Sequence, residues 1–450
     1  MKGKKVLIIG AGLCGSLLAL RLAQKGYNVV LREKRPDMRK KGFVGGRSIN
    51  LALSDRGLRA LRMAGIEDEI RKLCIPMEGR MIHFKDGEKR FSRYSGREED
   101  YINSVSRGGL NIALLDRAER TGNVEVHFDY QCLGVDLERG IARFRNTRSS
   151  GEIEEKADVI FGTDGAGSAV RQSFMKNTTS LLFNYSQHFL RTGYKELSIP
   201  PKQGGGYRIE NNALHIWPRG SYMIIALPNL DGSFTVTLFW PFKGDKGFEA
   251  ITTPEKLIPF FEEDFPDLLP HLPELDREYF DNPTGALGTI KCYPWQAHGK
   301  VLLMGDAAHA IVPFYGQGMN ASFEDVLVLN EIHDEFDGHW PTILEVYEDR
   351  RKKNTDAIAD LALDNFIEMQ EKVADPVFIK KRDLEMRLEQ EYKNYYSKYS
   401  LVTFQEELPY FDAMQLGRQQ DELLLDLCRH GEVEDMDLEE VYKKVMTLSS

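Results

Sequence analysis

The sequence predicts an α/β protein with an added sheet and a helical C-terminal region, and three stretches carry that expectation. Residues 4 to 33 read as strand, glycine-rich turn, helix and strand. Residues 205 to 242 are rich in strand formers and include a run that alternates apolar and polar side chains by twos, as a half-buried sheet requires. From Pro341 onward the pattern becomes helical and heavily charged.

Taken in order, KKVLIIG supplies the first strand, AGLCGSLLALRLAQKG the helix and YNVVLREK the second strand. Gly10, Gly12 and Gly15 form G-x-G-x-x-G at the strand-to-helix corner, and Glu33 ends the second strand eighteen residues after Gly15. Glycines there permit a tight turn and let the backbone approach a pyrophosphate, whose charge the helix N-terminus favours. The Glu33 carboxylate can accept from a ribose hydroxyl, which fits an unphosphorylated ribose in FAD or in NAD.

Further on, ADVIFG is a strand leading into FGTDGAGSAVR, with Asp164 at the corner. The runs SYMIIALP and SFTVTLFWPF flank the turn NLDGS, so they pair as a hairpin. KVLLMGDAAHAIVP is a strand running into Gly305 and Asp306, where a carboxylate at a strand end can hold a second ribose. Gly316, Gln317, Gly318, Met319 and Asn320 then lead into the helix SFEDVLVLNEIH, bringing unpaired amides toward a planar ring. In TILEVYEDRRKKNTDAIADLALDNFIEMQEKV, Asn365 and Glu368 follow Ile358 and Leu361 on an apolar helical stripe, so both polar groups need partners.

Composition narrows the function. The net charge of −10 is spread along the chain without a basic patch, which argues against nucleic acid. Cys14, Cys74, Cys132, Cys292 and Cys428 form no C-x-x-C pair, so neither a disulfide framework nor a zinc site is indicated. The opening MKGKKVLIIGAG places lysines before an apolar run but lacks a cleavage pattern. No run reaches the length of a membrane span. HDEFDGH, His333 to His339, holds metal-ligand types but reads as a solvated loop, so no metal is expected. His309 beside Asp306 reads as a packing or hydrogen-bonding group.

The set GAGLCGSLLALRLAQKG, TDGAGSAVR and GDAAHAIVPFYGQGMN resembles the three FAD signatures of the single-component aromatic hydroxylases, the family of para-hydroxybenzoate hydroxylase. Within it, GRSINLALSDRG, IPMEGRMIHFKDG, INSVSRGGLN, LHIWPR and IVPFYGQGMNASFEDVLVL resemble the kynurenine 3-monooxygenase branch, from residue 4 to about 405. The resemblance implies a Rossmann-like FAD-binding domain (1–75, 100–175 and 285–340) interleaved with a β-sheet substrate domain (76–99 and 176–284), followed by a helical region (341–450). It also implies the chemistry: NADPH reduces FAD, O2 adds to give a C4a-hydroperoxyflavin, and one oxygen passes to the ring of L-kynurenine. A water-poor pocket must shelter that species, and Pro313, Phe314, Tyr315 and the apolar positions of SFTVTLFWPF are candidates for its wall.

Five residues match the family's amino-acid-binding positions: Arg80 to clamp the carboxylate, Tyr94 and Tyr399 as hydrogen-bond donors, Asn365, and Glu368 near the ammonium. Phe314 is added as a substrate contact. Leu13, Arg35, Ala52, Arg107 and Leu133 are carried over as neighbours of FAD, beside Gly10, Gly12, Gly15, Glu33, Asp164, Asp306, Gly318, Met319 and Asn320. Eukaryotic members of the branch end in an apolar anchor, whereas residues 406 to 450 here are charged. That difference implies a cytoplasmic enzyme without a membrane anchor, with the tail as a cover over the site; a homodimer is left open. Two rival readings stand beside this one: hydroxylation of another aromatic acid, and a non-catalytic flavin-binding redox sensor.

Overall fold

A computed structural model of the chain describes residues 4–40, 50–369 and 375–449. Its first layer is a six-stranded sheet in which Lys5–Ile9 pairs in parallel with Asn28–Arg32 on one side and Val159–Gly162 on the other. Val301–Leu303 follows in parallel beside Val159–Gly162. Val6, Leu7, Ile8, Val159, Ile160 and Leu302 are fully buried, as continuous apolar runs in a sheet covered on both faces should be. Because these strands are adjacent and parallel, their carboxyl ends share one edge. The three glycine-and-acid corners predicted at Gly10, Asp164 and Asp306 therefore meet there, where open α/β sheets bind nucleotides.

The second layer is a seven-stranded sheet, ordered Gly285–Tyr293, Asn184–Ile199, Phe234–Pro241, Met223–Pro228, Ala213–Pro218, Gly79–His83 and Lys89–Arg93. The predicted hairpin is present, with Pro228 opposite Phe234 and Met223 opposite Phe239. Strand alternation divides its faces. Phe234, Val236, Leu238 and Trp240 pack with Leu257, Phe260 and Phe261 of the helix Pro254–Asp264, whereas Phe239 faces Phe314 and the helix Trp340–Ile367. Gly285–Tyr293 pairs with Asn184–Ile199 in this sheet.

The helix expected after Asn320 starts earlier, at Gly318, and runs to Glu335. His333 lies inside it, buried, with Nε2 2.8 Å from the Tyr27 hydroxyl. Only the turn that follows fits the solvated loop expected for His333 to His339, because the helical period carries His333 onto the core-facing side. Among the described residues, no cluster of His, Cys, Asp or Glu is arranged to hold a metal, and no helix is long and apolar enough to cross a membrane.

Candidate functional site

Steric limits explain the first corner. A Cβ on Gly15 would lie 2.1 Å from the Gly10 carbonyl oxygen, and one on Gly10 would lie 2.5 Å from that of Thr163. Glycine at both places lets the turn and the helix Leu13–Gln24 press onto the neighbouring strand end. Gly12 differs: a Cβ there would meet nothing within 4 Å, so it opens onto free space beside the helix N-terminus. Glu33 is buried behind the turn. Its Oε2 accepts from the Ala11 amide at 2.9 Å and its Oε1 from the amide and Nε of Arg35, both at 2.9 Å. Burial pushes the Glu33 carboxyl up, but these donors outweigh it and hold it below the usual range. Glu33 thus stays an anionic acceptor, with Arg35 as its exposed clamp.

At the second corner, Asp164 Oδ2 accepts from the amides of Ala169 and Val170 at 2.7 and 3.3 Å, while its buried Oδ1 has no partner among the described residues. Leu133 sits half-buried in the strand Tyr130–Asp136, between the Glu33 carbonyl, which accepts from the Tyr130 amide at 2.8 Å, and Ser173, which receives the Val135 amide at 2.9 Å. At the third corner Asp306 is exposed at the start of a short helix. Arg107 is the exposed first residue of the helix Arg107–Glu119, whose N-cap Ser106 accepts from the Gly109 amide.

Asn320, in the segment whose backbone amides are expected to face a planar ring, also has a structural side chain. It is fully buried, its Oδ1 accepts from the Ser54 amide at 3.0 Å, and its Nδ2 donates to the carbonyls of Ala52 and Gly316 at 2.9 and 3.0 Å. The side chain is consumed in fastening the helix N-terminus to the strand Asn50–Leu53. Of GRSINLALSDRG, residues 46 to 49 lie outside the described residues.

Beneath this helix is a group that sequence reasoning missed. Asp325 is fully buried; its Oδ2 accepts from the Gly305 amide at 3.0 Å and lies 2.6 Å from His309 Nε2, and its Oδ1 accepts from Arg351 Nε at 2.8 Å. Burial would raise its pKa, but His309 and Arg351 hold it below the carboxylate range. His309 therefore anchors the third corner through Asp325. The one sequence signal was an acid on an otherwise apolar helical face.

Four of the five amino-acid-binding candidates, Arg80, Asn365, Glu368 and Tyr399, line a cavity of about 160 Å³ together with Tyr315, and Tyr94 packs against Tyr399 outside that lining. Tyr94 and Tyr315 both stack on Tyr399, with centroids 5.5 and 5.6 Å away. The Arg80 guanidinium lies 4.7 Å from the Tyr399 ring centre and 5.3 Å from that of Tyr94. Burial draws its pKa down, but the phenols of Tyr399, Tyr94 and Tyr315 more than offset this, and the charge is retained. Burial likewise drives the Tyr94 and Tyr315 phenols well above their ordinary range, so they remain donors. The Tyr94 hydroxyl is buried without a partner among the described residues. An unsatisfied buried donor beside a retained cation suits an anionic ligand.

Phe314 stands behind this wall instead of lining it. It packs on Phe239 and Phe366, and its carbonyl accepts from Asn365 Nδ2 at 2.6 Å. Tyr315 takes the lining place. Of SFTVTLFWPF only Phe239 reaches this side, since alternation turns Phe234, Val236, Leu238 and Trp240 to the other face. Glu368 is engaged already: its Oε1 accepts from Lys398 Nζ at 2.5 Å. The helix ends at Ile367 and widens into a π-turn at 368–369, which swings Glu368 toward Lys398.

A family model described as an FAD binding domain matches residues 4–362. The kynurenine 3-monooxygenase of Christiangramia forsetii is 44% identical over 449 residues, covering 99% of each chain. The chain belongs to the kynurenine 3-monooxygenase family. Relatives of the same name from Myxococcus xanthus, 45% identical over 96% of this chain and 93% of that protein, and from Dictyostelium discoideum, 44% identical over 97% and 96%, extend the family across distant organisms. The solved 2-methyl-3-hydroxypyridine-5-carboxylic acid oxygenase shares the fold at 22% identity, with a TM-score of 0.66 over 86% of this chain and 98% of that one. Klebsiella pneumoniae HpxO, solved with FAD, shares it at 18% identity, with a TM-score of 0.65 over 85% and 94%.

FAD is the family's cofactor, and the residues present fit it. Gly12 leaves a cradle that a side chain would fill, Glu33 and Asp306 offer carboxylates, and Asp164 Oδ1 lacks a partner among the described residues.

Proposed function

We propose that the chain is the FAD-dependent monooxygenase that converts L-kynurenine to 3-hydroxykynurenine, with NADPH as reductant and O2 as oxidant. The observation that carries the substrate is the charged, half-buried Arg80 among phenols at the cavity wall, a receptor for the carboxylate of a zwitterionic aromatic amino acid. When bound, FAD supplies the acceptance of hydride and the activation of oxygen.

The chain's own residues bind, orient and exclude water. Arg80 receives the carboxylate, with the Tyr94 and Tyr399 hydroxyls as further donors. Asn365 has its Nδ2 committed to the Phe314 carbonyl, which fixes the amide and leaves its Oδ1 as an acceptor. Glu368 faces the ammonium. The core around Met223, Phe239, Leu287 and Phe314 keeps water from the reacting ring. The aniline nitrogen of L-kynurenine activates the carbon beside it, so no protein base is required, and positioning supplies the rate.

The nucleotide-binding role is assigned to the six-stranded sheet with its three corners, and the substrate-covering role to the seven-stranded sheet. The same reading places the enzyme in the cytoplasm. Purified protein should be yellow and should oxidise NADPH faster with L-kynurenine than without it, releasing a product heavier by one oxygen atom. A colourless protein, or NADPH oxidation indifferent to L-kynurenine, would refute the assignment.

A further inference from the structure

Along the cavity wall, six charged side chains form one continuous chain, and of these only Asp421 does not line the cavity. Lys398 Nζ, which donates to Glu368, also lies 2.5 Å from Oδ2 of Asp421 on the helix Tyr410–His430. The other oxygen of Asp421 is 2.5 Å from Lys381 Nζ, a charge contact off the line of an aligned hydrogen bond. Lys381 meets Glu385 at 3.0 Å and Glu385 meets Arg382 at 3.4 Å. Arg382 Nη2 then donates to the Tyr94 carbonyl at 2.6 Å. One arm of the chain ends at Glu368 and the other at the backbone of Tyr94, and Asp421 is the joint between them.

The charges balance, with Lys398, Lys381 and Arg382 against Glu368, Asp421 and Glu385. Burial pushes the Glu385 carboxyl up. Burial acts on Asp421 too, but its two lysines outweigh it and hold it down. The negative charge that competes for Lys398 is therefore that of Asp421. A lysine paired with Glu368 alone would cancel its charge; a lysine shared equally with a second acid leaves Glu368 a net acceptor on its cavity side.

We propose that Asp421 is a positioning residue for the substrate's amino group: by sharing Lys398 it holds Glu368 in place and leaves that carboxylate able to receive an ammonium. This rests on the reading of the cavity as the L-kynurenine site. It gives the charged tail a definite role. The tail was expected as a cover, whereas its first long helix reaches the site electrostatically, through a residue that does not line the cavity.

The test compares the wild-type holoenzyme with Asp421→Asn, Asp421→Glu and the surface control Arg418→Gln. Arg418 lies on the same helix, and its pair with Asp364 is solvent-exposed. With Asp421→Asn, KM for L-kynurenine should rise about tenfold, the scale of one weakened charge-assisted contact. kcat and FAD content should hold. Dissociation constants for the analogue lacking the α-amino group, read from the flavin absorbance change, should also stay unchanged. Asp421→Glu should recover most of the affinity, and Arg418→Gln should match wild type.

Equal weakening of L-kynurenine and the desamino analogue, or no change in either, would overturn the role of Asp421. If Asp421→Asn yields no holoenzyme, Lys381→Gln tests the joint from its other side: Asp421 then draws on Lys398 alone, and KM should stay at or below the wild-type value. A rise would overturn the proposal. Failure of the wild-type holoenzyme to hydroxylate L-kynurenine would instead overturn the reading of the cavity, so the two failures are distinct.

Discussion

Arg80→Ala is the most direct probe of the substrate pose. No ion pair among the described residues neutralises this guanidinium, and the groups acting on its charge are the phenols of Tyr399, Tyr94 and Tyr315. A carboxylate bound there would take two charge-assisted hydrogen bonds from the planar fork, each worth about 1.5–3 kcal/mol. Truncation removes both and leaves the substrate carboxylate unpaired in a dry cavity, a loss of about 3–5 kcal/mol, or roughly 10²- to 10⁴-fold in kcat/KM. Arg80→Lys keeps the charge but loses the fork and its stacking on Tyr399, so a loss of about tenfold is expected. Steady-state NADPH oxidation across L-kynurenine concentrations measures the ratio, and the flavin absorbance change on titration gives the dissociation constant separately. FAD content should be unchanged, because Arg80 lies on the seven-stranded sheet away from the three corners. A kcat/KM within threefold of wild type for Arg80→Ala would refute the carboxylate clamp.

Other perturbations separate fold from cofactor. Gly12→Ala places its Cβ in open space, so thermal stability of the apoprotein should hold while FAD affinity falls about tenfold or more; unchanged affinity would remove Gly12 from the cradle. Gly15→Ala drives a Cβ to 2.1 Å from the Gly10 oxygen and should cost about 1–3 kcal/mol in urea unfolding, even without FAD. Asp325→Asn removes the buried acid of His309 and leaves Arg351 with Glu324 alone, and should destabilise the fold by about 2–4 kcal/mol. Burial, together with the neighbouring His83, lowers the His215 pKa to about 4 despite the hydrogen bond to the Glu210 carbonyl. The unfolded chain then binds the extra proton first, so stability should fall as pH drops from about 6.5 toward 4, by up to about 3 kcal/mol. His215→Gln should flatten that part of the stability–pH curve, and an unaltered slope would assign the loss to other groups.

Much of this protein is local, and the local part was readable from the chain. The βαβ unit, the hairpin at NLDGS and the three corners follow from periodicity and turn chemistry within a few dozen residues each. Arg80, Asn365, Glu368 and Tyr399 were reached through family resemblance, and the structure gathers them around one cavity. Residue order could not say which of two adjacent aromatic residues faces that cavity. Phe314 and Tyr315 differ only in where the short 3₁₀ turn Pro313–Tyr315 points them.

The side chain of Asn320, the burial of His333 and the pairing of His309 with Asp325 depend on partners distant in sequence, and no local pattern encodes them. The same holds for Glu368, whose partner Lys398 is shared with Asp421 on a later helix. The sequence by itself determined the strands and the glycine corners, because backbone sterics and side-chain period act within one segment. Only the tertiary structure decided which buried charges neutralise one another and which are left for a ligand, because electrostatic pairing depends on distance in space rather than on spacing along the chain.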